Sequence, residues 1–577
     1  MIFDTISNEI RRYLDEDVEI SEGYRFSQYR LVKRIMLYAN GVYPKGKIDK
    51  QGNYKYWIDI ASPRIDAEIK NIDFDQNQIF LYSDIEDDAG AMLLCNLALK
   101  EWLKENEQSV ALNDIVEQSS GWGNVVLKKI KGGYENVDLK NFYVINPIAK
   151  TLNDTPVIER HILTQSDLKR KEGVWKNIDK VIKECGNKGF STTPDGISDS
   201  KETPYYEVYE RNGEISEKEL NEAMGKRGGD PYKFVLAKII VSGIDKNNSG
   251  GQYVLFADRI DEMPYKEYHR GRYNGRWWRP GIYELLFDLQ TRANEISNQI
   301  ARGLEWSSKT LFRSKDRLLA NNILTDLNSG DVIRSEDLQQ IEVRMQGMDQ
   351  LIADWNRIMK QADSLCNSYE VVLGENGPAG TPFRSTALIN QNANKFFDFV
   401  REKLSIALQS VFQDWVLPEL LKGLKKKDIL RFAGEGEMMN RYYEIMANAW
   451  YIKNLPSLPP HDKEMAESLK AEKIKEIKER PEQFIKLENG WLDGVQPRVS
   501  VVIDGENVSL QQDLDTLATF INLETDPIRR TALIERAMKR KGISIDDLPK
   551  TEQQPQVSPE KLAPTEQLKV ASQTQNE

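Results

Sequence analysis

Three runs of apolar residues spaced by threes and fours constrain this chain more than any other feature. The first reads GIYELLFDLQTRANEISNQIARGLEW from Gly281. Its stripe passes through Ile282, Leu285, Leu286, Leu289, Ala293, Ile296, Ile300 and Leu304. The second runs through Met348, Leu351, Ile352, Trp355, Ile358, Met359, Ala362, Leu365, Cys366 and Tyr369. The third spans Arg384–Trp415, with Leu388, Phe396, Phe399, Val400, Leu404, Ala407, Leu408, Val411 and Phe412 along one side and Pro418 as its stop. Such spacing places each set on one face of a long helix. Charges and amides, among them Arg292, Asn294, Asn298, Arg302, Asn356 and Asp363, fall on the opposite faces. A helix with one oily stripe must bury it against its own chain or another copy. The pattern argues for an assembly rather than a solitary catalyst.

At 577 residues the chain exceeds one compact core, and about two to four lobes are expected. Apolar content of 40% with 29% charged residues is ordinary for a soluble globular protein. The net charge of −11 offers no global attraction to nucleic acid, so such contact would have to come from local patches. Cys95, Cys185 and Cys366 are few and far apart, which fits a reducing compartment without structural disulfides. The acidic, interrupted start MIFDTISNEIRRYLDEDVEI is not a signal peptide, and no run reaches the roughly 20 apolar residues that span a bilayer.

The patterning predicts an α+β, predominantly helical protein. Two helices fill residues 1–42, YKYWIDI (Tyr54–Ile60) alternates like a strand, and helices return over Ala89–Asn106 and Val110–Ser119. GWGNVVLKKIKGGYENVDLKNFYVIN, YYEVYERNG, KFVLAKIIVSG and QYVLFADRI read as strands of small antiparallel sheets. Helices are expected near Gln165–Lys171 and Trp175–Cys185, with a loop over Gly186–Glu202. Further helices are expected near Glu435–Ile452 and Asp462–Lys478, a strand in RVSVVIDGENVSL, and a flexible polar tail from Thr551.

Chemistry-bearing motifs are scarce. Gly41-Val-Tyr-Pro-Lys-Gly46-Lys47-Ile48 approaches a phosphate-binding loop, but Ile48 stands where a magnesium-holding hydroxyl is needed. A helix precedes it and a strand follows, so a connecting turn is expected. His161, His269 and His461 have no Cys or His close enough for a zinc site. Asp87–Asp88 and Asp546–Asp547 lack companions for catalysis, and no nucleophile elbow or dinucleotide fingerprint occurs. No catalytic, cofactor-binding or metal-ligating residue is assigned. In KEYHRGRYNGRWWRP (Lys266–Pro280), Arg270, Arg272, Arg276 and Arg279 interleave with Tyr268, Tyr273, Trp277 and Trp278. That composition fits nucleic acid, but fits better a loop whose aromatics pack and whose arginines meet carboxylates.

The order of these elements resembles the portal proteins of tailed double-stranded-DNA phages, in an Asn/Lys/Ile-rich style like crAss-like phages. RWWRPGIYELLFDLQTRANEISNQI is similar to the lead-in to the first stem helix, and KTLFRSKDRLLANNILTDLNSGDVIRS to the clip insert. The stretch from VVLGENGPAGTP into STALINQNANKFFDFVREKLSIALQSVFQDWVLPEL is similar to the tunnel loop and spine helix. The resemblance covers roughly residues 80–430. It implies a wing lobe at 1–280, stem helices at 281–306 and 346–369, and a clip at 307–345. A tunnel loop at 370–383, a spine and wing return at 384–434, a crown at 435–550 and the tail at 551–577 complete the layout. Residues Gly374, Glu375, Asn376, Gly377, Pro378, Ala379, Gly380 and Thr381 would form the tunnel loop. Lys309, Phe312, Arg313, Lys315, Asp331 and Arg334 would offer the clip's docking surface for terminase and adaptor. Leu285, Leu289, Ile296, Ile300, Leu351, Trp355 and Ile358 would pack subunits together.

The implied partners are a homo-oligomeric ring, usually of twelve copies, the terminase large subunit, the major capsid protein, head-tail adaptor or tail proteins, and duplex DNA in the channel. No membrane or cofactor is implied, and the location is the capsid vertex of the virion. The span Lys266–Tyr369 holds 15 Lys+Arg against 14 Asp+Glu. Such balance suits a wall that lets DNA slide rather than gripping phosphate.

Overall fold

The computed structural model describes residues 2–48, 52–72, 78–83, 89–186, 205–244, 251–308, 311–313, 339–341, 347–368, 383–425, 429–431, 463–478, 484–486, 495–501 and 503, with scattered positions between 444 and 492. The chain divides into Met1–Asp504 and Gly505–Glu577, and the second unit lies outside the described residues. So do the Gly186–Glu202 loop beyond residue 186, most of the expected crown, the tail, His461 and both acidic pairs.

The N-terminal lobe begins with α1 (Ile2–Asp15), a hairpin of β1 (Val18–Ser21) and β2 (Tyr24–Phe26), and α2 (Gln28–Ala39). Next come α3 (Ser62–Ile72), β3 (Ile79–Tyr82), α4 (Ala89–Glu105) and α5 (Gln108–Trp122). The strands β4 (Asn124–Ile130), β5 (Gly133–Asn136), β6 (Phe142–Val144) and β7 (Val157–Leu163) follow. After α6 (Gln165–Arg170) and α7 (Ile178–Glu184) come β8 (Tyr206–Ser216), α8 (Glu217–Met224), β9 (Phe234–Ser242), β10 (Tyr253–Arg259) and β11 (Tyr265–His269). The small antiparallel sheets read from the sequence are present. One has five strands in the order β10-β9-β8-β7-β6, and another has three in the order β11-β4-β5.

These two sheets are joined by charge. Register sets Glu159 of β7 directly opposite Glu210 of β8, a like-charge pairing that opposes strand association. Lys128 of β4 resolves it by reaching across from the other sheet, with Nζ 2.6 Å from Glu159 and 2.9 Å from Glu210. Lys238 of β9 adds a contact to Glu210 at 2.8 Å, and the Tyr265 hydroxyl donates to Glu159 at 3.0 Å. Burial alone would raise the Glu210 carboxyl; the His161 hydrogen bond and the two lysines hold it well below the usual range.

The long helices are α9 (Ile282–Ser308), α10 (Met348–Cys366) and α11 (Phe383–Val411). Between the first two lie β12 (Leu311–Arg313) and β13 (Gln339–Ile341), paired antiparallel. Pro418 does not end α11 as its sequence position predicts. The helix passes through a π turn at Phe412–Val416 and continues as α12 (Leu417–Lys425). The Leu417 amide bonds to the Phe412 carbonyl five residues back, so the proline, which has no amide hydrogen, enters in the next helical turn where none is needed. The remaining described elements are β14 (Ile429–Arg431), α13 (Lys463–Lys478), β15 (Phe484–Lys486) and β16 (Arg498–Val501), the last pairing with β3.

Candidate functional site

Backbone contact fixes the root of the α9–α10 pair. Gly123, at φ +83°, caps α5, and a Cβ there would lie 2.4 Å from the Gly281 amide nitrogen. A Cβ on Gly281 would approach the Gly123 nitrogen to 2.3 Å. Only glycine on both sides lets α9 start flush against the end of α5.

From that root, α9 packs on α10. Ile282, Leu286, Ala293 and Ile296 meet Ile358, Ala362 and Cys366, with Ile60, Ala61 and Ile65 closing the same cluster. Leu289, Ile300, Leu351, Trp355 and Met359 lie partly buried against it. The stripe expected to pack subunits is therefore covered by its own chain. Ile296 and Ile358 are core residues, and Leu285 is half-buried outside the cluster. A tethered helix reaches such a stripe at a far higher effective concentration than a free copy. Among the described large apolar residues of the pair, Leu304, Ile352 and Leu365 stay open.

The polar side of α9 departs from the sequence reading in an informative way. Gln290, Asn294 and Asn298 are buried. Their side-chain oxygens accept from the amides of Ile60 at 3.0 Å, Ile58 at 2.9 Å and Tyr56 at 2.8 Å. In return Gln290 donates to the Ile58 carbonyl, and Asn298 donates to the Tyr56 carbonyl at 3.2 Å. Four helical residues rise about 6 Å, and two extended residues about 6.6 Å, so amides spaced by four can serve an extended segment at every second residue. Tyr54–Ile60 alternates like a strand, but its hydrogen-bonding partner over Tyr56–Ile60 is this ladder of side chains. Each net bond contributes about 0.5–1.5 kcal/mol.

The Lys266–Pro280 run wraps this root. Trp277 and Trp278 are fully buried, and Trp277 Nε1 donates to Glu267 at 2.5 Å. Arg270 makes a bidentate pair with buried Glu68 at 2.5 and 2.6 Å, and Arg276 pairs with Glu284 at 2.5 Å. Arg64 of α3 bonds Asp363 of α10 at 2.5 Å. These contacts follow the packing-loop reading for Arg270 and Arg276, while Arg272 and Tyr273 remain exposed. His269 is buried beside Asn124 at 2.7 Å, and burial pulls its imidazole below the ordinary value.

Phe312 and Arg313 lie on β12, opposite Gln340 and Gln339. Lys309, Lys315, Asp331 and Arg334, and the whole loop Gly374–Thr381, lie outside the described residues. The Gly41–Ile48 segment follows α2 and ends in a bridge between Ile48 and Tyr54, where a phosphate-binding loop would lead into a helix. Glu159, His161 and Glu210 converge closely enough to hold a cation, a grouping that sequence spacing did not reveal. The Lys128 ammonium already bridges the two carboxylates, so a metal would have to displace it. The three cysteines are buried and unpaired, and burial pushes Cys95 and Cys366 up to about 12. Among the described residues no helix is long and apolar enough to cross a membrane.

No family model and no curated protein matches the chain. Among solved structures it is similar to the neck of an empty GTA particle computed with C6 symmetry, at TM-score 0.36 and 9% identity over 91% of this chain and 97% of that one. It is also similar to the neck of a native GTA particle computed with C12 symmetry, at TM-score 0.30 and 8% identity over 74% and 79%.

Proposed function

We propose that this chain is a non-catalytic structural conduit that works as a ring of identical copies. Within that class the reading is a portal protein: a ring of about twelve copies at one capsid vertex, through which terminase drives double-stranded DNA inward and DNA later leaves. Head-tail adaptor or tail proteins attach to it in the virion, and the major capsid protein surrounds it. The observation that carries this reading is the order of elements. A sheet-bearing lobe leads into α9, a short β-paired insert and α10, and then into a rod of α11, the π turn and α12. The α9–α10 seam closes within the chain and so supplies no subunit contact of its own; the pair, anchored at Gly123 and Gly281, serves this reading as a rigid carrier of the insert.

Negative-stain electron microscopy of the purified full chain should show rings with a central hole. A species that stays monomeric at every concentration tested would sink the reading. Deleting Glu375–Gly380 should leave rings intact while DNA retention in assembled particles falls, since a glycine-rich loop can narrow a channel without bearing on the scaffold.

A further inference from the structure

The outward side of α11 sets exposed apolar groups between a half-buried cation, Lys403, and the exposed carboxylates of Asp398 and Glu402. Phe399 is 55% exposed and Ile406 62% exposed on that helix. Lys403 lies one turn from each, its Nζ 5.5 Å from the Phe399 ring centre. That ammonium donates to the carbonyls of His269 at 2.7 Å and Arg270 at 3.3 Å, and no carboxylate among the described residues contacts it. Arg279 adjoins it, half-buried, its Nε without a partner and its guanidinium over the exposed Tyr273 ring. Burial, then Arg279 and Arg270, push the Lys403 ammonium below its ordinary value. Aromatic and basic groups together are the composition of a protein-binding hot spot.

The same chain carries the complement. A groove of about 200 Å³ between α4 and α12 has a floor of Ala98, Trp102, Leu420 and Leu424 and a rim of Glu101, Glu105 and Glu419. Glu101 and Glu105 share one helix face, where like charges repel. Lys403 and Glu419 stand sixteen residues apart on one continuous rod, about 24 Å at the helical rise. The two surfaces are therefore distinct, and their pairing between copies is head-to-tail, the arrangement that closes rings. Duplex DNA fits the cations but not Phe399 and Ile406, and a chain of net charge −11 repels it.

We propose that the Phe399–Lys403–Ile406 face with Arg279 docks into the Glu101–Glu105–Glu419 groove of a neighbouring copy. This assignment rests on the ring reading and names its contact.

Charge exchange in the full chain tests it, read by analytical ultracentrifugation and electron microscopy. Lys403→Glu alone, and Glu101→Lys with Glu105→Lys alone, should each raise the concentration needed for assembly at least about tenfold, as repulsive juxtaposition does. An equimolar mixture of the two, or all three changes in one chain, should restore assembly. Ile406→Glu, at an exposed position, should weaken assembly equally while the circular dichroism spectrum stays that of the wild type. This variant keeps the test valid where Lys403→Glu fails to fold. Rings forming from every variant as readily as from wild type would overturn the docking assignment and leave the ring standing. A wild type that never assembles would instead overturn the ring.

Discussion

The N-terminal lobe and the α9–α10 pair both bury polar groups, but in different arrangements. Between the two sheets the buried polarity is ionic: Lys128 bridges Glu159 and Glu210, and half-buried Lys238 adds a contact to Glu210. Beneath the helix pair an ion pair, Arg64 with Asp363, is joined by a neutral ladder: Gln290, Asn294 and Asn298 against a backbone. Ions tie two sheets at one point and fail as a unit when a member is lost. Amides share the load over three rungs, each modest and each insensitive to pH. A point clamp suits sheets already held by their own ladders, and a distributed one suits a segment with no sheet of its own.

That contrast can be broken at Lys128. Lys128→Met should leave two facing carboxylates buried and cost about 3–5 kcal/mol, the range for an orphaned buried ion pair, seen as a lower urea midpoint. Asn294→Ala should cost less, about 1–3 kcal/mol, by stranding the Ile58 amide. Hydrogen exchange at Tyr56–Ile60 should rise while the sheets stay protected. Equal losses from the two changes would erase the distinction. The smallest effect separates them by pH. The folded Glu210 carboxyl titrates below its ordinary value of 4.5, so its contribution is complete above that pH and fades as acid protonates it. Thermal melts from pH 6 down to pH 3 should show the loss in the wild type and a shallower slope in Glu210→Gln.

Helix periodicity carried much of this architecture into plain view. α9, α10 and the start of α11 follow apolar steps that no other structure satisfies, and β8, β9 and β10 follow alternation bounded by turns. The failures share a cause: polarity alone does not reveal a partner. Asn294 and Asn298 read as solvent-facing because nothing in their own helix marks a backbone lying across them. Pro418 reads as a stop because the compensating π turn is invisible without coordinates. The stripe through Ile296 and Ile358 has the right face but the wrong neighbour, since spacing says that a residue is covered and not by which copy. Phe399 belongs to the apolar stripe read for α11 yet stays bare, and only exposure distinguishes it from Val400 and Leu404; Ile406 lies outside that stripe and is bare as well.

The π turn also acts as a phase adjuster. Each residue added to a helix swings everything after it by about 100°, so the wide turn at Phe412–Val416 decides which side of α12 looks toward α4. Shortening that turn by one residue would rotate Glu419 and Leu420 off the α4 surface with the composition of both helices otherwise unchanged. A recognition surface here is thus written partly in helical angle, and one backbone hydrogen bond from Leu417 to Phe412 keeps the reading frame.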